Sequence, residues 1–332
     1  MTSENAQILF FRHIKELLPA HLSMVDEIAG LLEISNDSAY RRIRGEKPIS
    51  FEELQRLCGH FKISLDQFLH LESDSIIFTS KIAGEGAFNY EQYLLNILQN
   101  LRLINSFPAK EMYYLNKDIP IFHHFYFPEL AAFKSFFWMK TILHYPQYAN
   151  QTFRLDHFLN EKVVQLGRQL SEAYYALPSQ EIWNIESINS TIRQIEYYKN
   201  SGVFDSRKDV VAIYDCLQKT IDHIECQAEL GYKFAAGSPG DGKHAAYKIY
   251  INEFILGDNT ILAVLGEQKI VYINHSVLNY LVTRDQSFCD STFQHIQNII
   301  KRSTLISEVG EKERRRFFNL IREKITARKN AL

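Results

Sequence analysis

No uninterrupted apolar run in this chain approaches the roughly 18 residues of a membrane-spanning helix. The opening stretch, MTSENAQILFFRHIKELLP, carries charges inside its apolar segment and no small-residue cleavage site. These absences argue against membrane insertion and against secretion. Cysteine is scarce and scattered: Cys58, Cys216, Cys226 and Cys289 form no C-x-x-C pair and no cluster, which suggests neither a zinc site nor a disulfide framework and fits a reducing cytoplasm. An excess of one charge is missing too. The formal net charge is -2, so contact with nucleic acid must be focused on a local basic patch rather than spread over the surface.

Trp (2) and Met (4) are few beside Tyr (18) and Phe (23), so much of the buried area must be aromatic, with tyrosine hydroxyls that need partners. Hydrophobic residues at 46% and charged residues at 23% are ordinary for a folded globular chain, and 332 residues suffice for two or three domains. Phe10, Ile14 and Leu17 recur at helical spacing before Pro19, and a second helix is expected from Val25 to Leu32. In ISFEELQRLCGHF, Ser50 and Glu53 form a capping box and Ile49 and Leu54 a hydrophobic staple; ISLDQFL repeats the device with Ser64 and Gln67, Ile63 and Phe68. Five short helices therefore fit into the first 71 residues. ESDS, residues 72–75, is a polar break, giving a domain at 1–71, a linker and entry segment at 72–88, and a larger domain at 89–332.

The larger domain reads as mainly helical. Helices are expected at NYEQYLLNILQNLRLI after Asn89, at FPELAAFKSFFWMKTIL with Pro128 in its first turn, and over 156–176, 184–198 and 207–229. YKIYINEFIL, TILAVL and KIVYIN, separated by Gly257, Asp258 and Asn259 and then by Gly266, predict a three-stranded antiparallel meander near 247–274. Two helices follow, the last KERRRFFNLIREKI. The expected fold class is thus mainly α, a five-helix unit followed by a large helical domain with one small antiparallel meander.

SNDSAYRRIRG, residues 35–45, gives the sharpest functional signal. Ile28, Ala29 and Leu32 face inward from one helix, Ile34 fills a turn, and Ala39 and Ile43 face inward from the next. With the two capped helices that follow, residues 6–70 resemble the phage-repressor and xenobiotic-response-element class of helix-turn-helix transcriptional regulators. Two positions depart from that pattern. Glu33 stands where a turn glycine is usual, at a cost of about 1 kcal/mol for left-handed backbone, and Arg42 stands where an inward apolar residue is expected.

The resemblance implies that the helix enters the major groove of double-stranded DNA by its N-terminal residues, where small polar side chains admit the backbone. Ser35 is then the N-cap. Asn36 and Asp37 suit adenine and cytosine edges, Ser38 borders the groove, Tyr40, Arg41 and Arg44 continue the outward face, and Arg42 and Lys47 meet phosphates. Residues 41–47 carry a local charge of +3, although residues 1–71 hold eight Lys or Arg against ten Asp or Glu. The expectation is a cytoplasmic transcriptional regulator, homodimeric through its large domain. That domain would hold a mostly apolar cavity for a small-molecule or peptide effector, or serve as a peptide- or protein-binding scaffold.

Other patterns are weaker. GSPGDGKH spells G-x-x-x-x-G-K from Gly237 to Lys243, but a helix precedes it, a strand follows, and His244 replaces the magnesium-binding hydroxyl residue. His123 and His124, near Asp118 and with His144 further on, lack metal-ligand spacing. No nucleophile elbow or metalloprotease motif occurs, so no cofactor, metal or catalytic residue is expected and an enzyme has little support. Phe317, Leu320, Ile321 and Ile325 form an apolar stripe expected to pack on the domain or on a second subunit, with membrane or DNA phosphates as the alternative. Phe133, Phe136, Phe137 and Trp138 are expected in a core rather than a ligand cage.

Overall fold

The computed structural model describes residues 5–18, 22–61, 63–69, 76–80, 89–158, 161–238, 245–254, 259–276 and 279–332. Pro19, the ESDS break, most of the expected linker, residues 239–244 of the phosphate-loop match, Gly257, Asp258 and the Gln67 side chain lie outside them. The chain divides into two compact units, Met1–Ile77 and Phe78–Leu332.

The smaller unit holds α1 (Ala6–Leu17), α2 (Met24–Leu32), α3 (Asn36–Ile43), α4 (Phe51–Phe61) and α5 (Leu65–Leu69). Side-chain oxygens of Asn5, Ser23 and Ser35 cap the first three by accepting from backbone N–H groups. Phe10, Phe11 and Ile14 of α1, Ile28, Ala29 and Leu32 of α2, Ala39 of α3 and Leu57 of α4 make the core. The periodic apolar positions of each helix thus converge.

The larger unit follows with α6 (Tyr90–Asn105), β1 (Lys110–Asn116), α7 (Pro128–Phe137), α8 (Glu161–Tyr175), β2 (Ser179–Trp183), α9 (Asn189–Asn200), α10 (Arg207–Leu230), β3 (Tyr247–Ile251), β4 (Thr260–Leu265), β5 (Gln268–Ser276), β6 (Asn279–Thr283), α11 (Gln286–Lys301), β7 (Thr304–Leu305) and α12 (Glu311–Asn330). A short 3-10 turn, Ile121–Phe125, lies between β1 and α7. The strands form one mixed sheet in the order β6-β5-β4-β1-β2-β3-β7. β1, β2 and β3 run parallel, with helical crossovers, and β4, β5 and β6 are antiparallel.

This corrects the mainly helical expectation: the fold is α/β with a substantial seven-stranded sheet among the described residues. The expected three-stranded meander is also misassembled. β3 does not pair with β4; it lies parallel to β2 and antiparallel to β7. The antiparallel run is β4-β5-β6, with Thr79 bridged to Val282 of β6. β1 and β2 escaped the sequence reading because they are short, and Lys110, Glu111 and Glu181 interrupt their apolar character.

Alternation divides the sheet into two faces. Tyr113, Leu115, Ile182, Leu262 and Val271 pack with Cys289 and Ile296 of α11. On the opposite face, Met112, Tyr114, Ala263, Leu265, Ile270 and Tyr272 pack with α6 and α8. Trp183, Tyr247 and Ile249 join α7, α9, α10 and α12 on that same side. Glu181 shares it too, which places a carboxylate at the buried centre of the parallel strands.

Candidate functional site

The surface that carries the sequence signal is α3 and its flanks. The chain enters α3 from α2 through Glu33, whose φ of 56° and ψ of 44° are left-handed, with Ile34 N–H donating to the Ala29 carbonyl. Ser35 Oγ accepts from Ser38 N–H at 3.3 Å. Beyond α3, Gly45 takes a φ of 72°, and a Cβ there would lie 3.1 Å from Ile8. Gln7 of α1 fastens this exit: its amide donates to the carbonyls of Arg42 and Lys47 at 2.7 and 2.8 Å and accepts from Ile49 N–H at 3.1 Å. The helix is therefore clamped at both ends by side chains that reach backbone.

Ser35, Asn36, Asp37, Tyr40, Arg41, Arg44 and Lys47 are exposed, and Ser38 is half-buried. Asn36 Nδ2 donates to Asp26 Oδ1 at 2.8 Å, which orients the amide and leaves its second N–H and its oxygen outward. Arg44 lies over the Tyr40 ring at 4.6 Å and faces Glu46 at 3.7 Å, an exposed arrangement of little energetic weight. Arg41 and Lys47 side chains make no ion pair among the described residues.

Arg42 is the exception to the expected roles. It is buried, and Nε and Nη2 grip the two carboxylate oxygens of Glu53 at 2.9 and 2.6 Å while Nη1 donates to the Ser38 carbonyl at 3.2 Å. It is not on the outward face and cannot meet a phosphate from this position. Glu53 also closes the capping box of α4, accepting from Ser50 N–H at 3.0 Å while Ser50 Oγ accepts from Glu53 N–H at 3.2 Å. The Arg42 hydrogen bond holds the Glu53 carboxyl below its usual range. One carboxylate thus caps α4 and fixes α3, an apolar position of the pattern having been taken by an ion pair.

The remaining sequence candidates fall mostly into packing. Phe133, Phe136 and Phe137 are core residues, and Trp138 is half-buried against the separate core cluster that holds Tyr90, Leu94 and Leu170. Phe317, Ile321 and Ile325 of α12 are buried, whereas Leu320 is 42% exposed and leaves the expected stripe. Four basic residues in the second half of α12 are paired within the chain: Arg322 with Asp222 and Glu225, Lys324 with Glu186, Arg328 with Glu196 and Lys329 with Asp215. His144 is exposed and Asp118 half-buried. No group of three or more His, Cys, Asp or Glu that could hold a metal ion occurs among the described residues, nor a helix long and apolar enough to cross a membrane. A surface hollow of about 430 Å3, open to solvent, is lined by Arg207, Lys208, Val211, Ala212 and Asp215.

The sequence reading missed a buried polar cluster in the larger unit. Glu181 is wholly buried and accepts from Tyr174, from Trp183 Nε1 at 2.6 Å, from Tyr247 at 2.9 Å and from His123 Nε2 at 3.0 Å. Burial pushes its carboxyl upward, but His123, Tyr174 and Trp183 outweigh that and bring it down to about 2. His123 Nδ1 lies 2.6 Å from Tyr126 Oη, and Tyr126 donates to Gln227 Oε1 at 3.0 Å. The Phe234 carbonyl fixes the Gln227 amide by accepting from its Nε2 at 2.8 Å, which turns Oε1 toward the Tyr126 hydroxyl. Of these residues only His123 had drawn attention, through its pairing in sequence with His124. His124 sits apart, buried, with Nε2 unpartnered among the described residues; burial, then Lys134 and His123, hold it well below the imidazole range.

Comparison of the chain with protein-family models, with curated proteins and with solved structures found no match.

Proposed function

We propose that the chain is a sequence-specific double-stranded-DNA-binding transcriptional regulator, with α3 as the helix that enters the major groove and the larger unit serving dimerisation or effector response. The observation that carries the reading is the outward set on α3: Asn36, Asp37, Tyr40, Arg41 and Arg44 are exposed on a helix whose entry and exit are both fixed by side-chain-to-backbone bonds. A reading helix needs that rigidity, because direct readout depends on placing donors against base edges.

Arg41, exposed and without an ion pair among the described residues, suits a guanine edge, with Arg44 able to leave its exposed stack on Tyr40. Asn36, oriented by Asp26, suits adenine, and Lys47 supplies a phosphate contact. Arg42 acts indirectly by holding α3 to the start of α4. A single helix reads few base pairs, so two copies on half-sites one helical turn apart are expected, and full-length protein should bind as a homodimer.

Selection of binding sites from random DNA by the full-length protein tests the reading. Recovery of a two-fold repeated motif, read by Arg41 and Asn36, supports it; no enrichment at low and moderate salt would sink it.

A further inference from the structure

Residues 78–80 belong to the larger unit and are fastened to the outer edge of its sheet. β6 is an end strand, so backbone groups of Val282 that point away from β5 need partners from outside the seven strands. Thr79 satisfies both. Its N–H donates to the Val282 carbonyl at 2.7 Å, its carbonyl accepts from Val282 N–H at 2.8 Å, and its Oγ1 donates to the same Val282 carbonyl at 3.1 Å. Ser80 Oγ donates to Asn279 Oδ1 at 3.1 Å and accepts from Asn279 Nδ2 at 2.8 Å. The Phe78 ring stands edge-on to Phe288 of α11, with centroids 5.4 Å apart. Backbone, polar side-chain and aromatic contacts thus fall on three consecutive residues.

The place of this fastening along the chain bears on DNA reading. Thr79 is ten residues beyond Leu69, the last residue of α5, so the chain between them spans at most about 35 Å. The next described residue bound to the body of the larger unit is Tyr90, eleven residues further on, whose N–H donates to Tyr145 Oη at 3.0 Å. Without the fastening each copy would gain up to about 38 Å of chain, more than the roughly 34–36 Å of one DNA helical turn. We propose that Phe78, Thr79 and Ser80 form a clasp that limits the reach of each DNA-reading unit and so confines the dimer to operators of one half-site spacing. This inference rests on α3 reading DNA.

The test compares full-length wild type with three variants on paired half-sites, at the selected spacing and one helical turn farther apart, and by solution X-ray scattering without DNA. Phe78→Ser with Thr79→Pro removes the ring and the N–H donor of the clasp. Thr79→Val removes the hydroxyl bond alone and leaves the backbone bridge. An eleven-residue glycine and serine insert after Asp74 lengthens the chain ahead of an intact clasp, and it carries the test should the double variant fail to fold. Wild type and Thr79→Val should lose about a hundredfold in affinity at the wider spacing, because a chain that cannot span two sites loses the gain from linking them. The double variant and the insert should lose about tenfold or less, with each half-site sequence unchanged, and both should show a larger radius of gyration than wild type. Equal wild-type affinity for the two spacings, or a wild-type spacing preference in the folded double variant or in the insert, would overturn the clasp. Absence of sequence-specific binding by wild type would sink DNA reading instead. The scattering then decides the clasp by itself: a larger radius in the double variant supports it, and an unchanged radius overturns it.

Discussion

Arg42 and Glu33 depart from the helix-turn-helix pattern in different ways, and each makes a residue-scale prediction. Glu33 keeps left-handed backbone that glycine would adopt without a Cβ penalty, so Glu33→Gly should raise the stability of the smaller unit by about 1 kcal/mol in urea unfolding. A loss of stability would mean that the Glu33 side chain makes a compensating contact. Removing Arg42 leaves Glu53 half-buried without its partner, so Arg42→Ala should cost about 2 kcal/mol or more of folding stability. Arg42→Met combined with Glu53→Gln should recover part of it, a coupling that a phosphate-contacting arginine would not show. Sequence alone showed that Arg42 broke the pattern. It could not show the resolution, because the partner lies in the capping box of another helix.

At the scale of elements, helices were legible and half the sheet was not. Caps at Asn5, Ser23, Ser35, Asn89 and Ser206 and periodic apolar faces are local signals, and α3, α6 and α10 follow them closely. The segment NYLVT became β6 only through pairing with β5. β2 carries Glu181 at its centre, a residue that reads as solvent-facing until three aromatic donors and His123 surround it. The final helix packs through Phe317, Ile321 and Ile325 as its stripe predicts, without Leu320, and no local pattern shows that Arg322, Lys324, Arg328 and Lys329 meet acidic partners on α9, α10 and the loop after β2. Ile321 of α12 is wholly buried, so Ile321→Ala should lower the stability of the larger unit by about 2–5 kcal/mol, measured by thermal unfolding. A change below about 0.5 kcal/mol, the range of ordinary surface substitutions, would show that α12 is not docked as described.

For the molecule as a whole, buried ionisable groups set the pH response of the larger unit. Glu181, held at about 2 against an ordinary 4.5, contributes stability above 4.5 that is lost as pH falls toward 2. Lys134 and Lys233, both brought by burial to about 7, bind fewer protons folded than unfolded between 7 and 10.5. Stability should therefore climb as pH rises from 7 toward 10, and the climb should shrink in Lys134→Met and in Lys233→Met. Denaturant midpoints across that range, independent of pH, would refute these assignments. The central claim remains that α3 reads DNA, and Ser38→Glu isolates it. Glutamate at that position completes a capping box with Ser35, so folding should hold or improve while a carboxylate faces the groove. Binding of full-length wild type, Ser38→Glu and Arg41→Ala to a selected operator and to random DNA, over a salt series, is the deciding measurement. The account predicts no operator binding by folded Ser38→Glu, and a loss of about 1–3 kcal/mol by Arg41→Ala that relaxes one position of the site. Wild-type affinity and salt slope in both folded variants would contradict it.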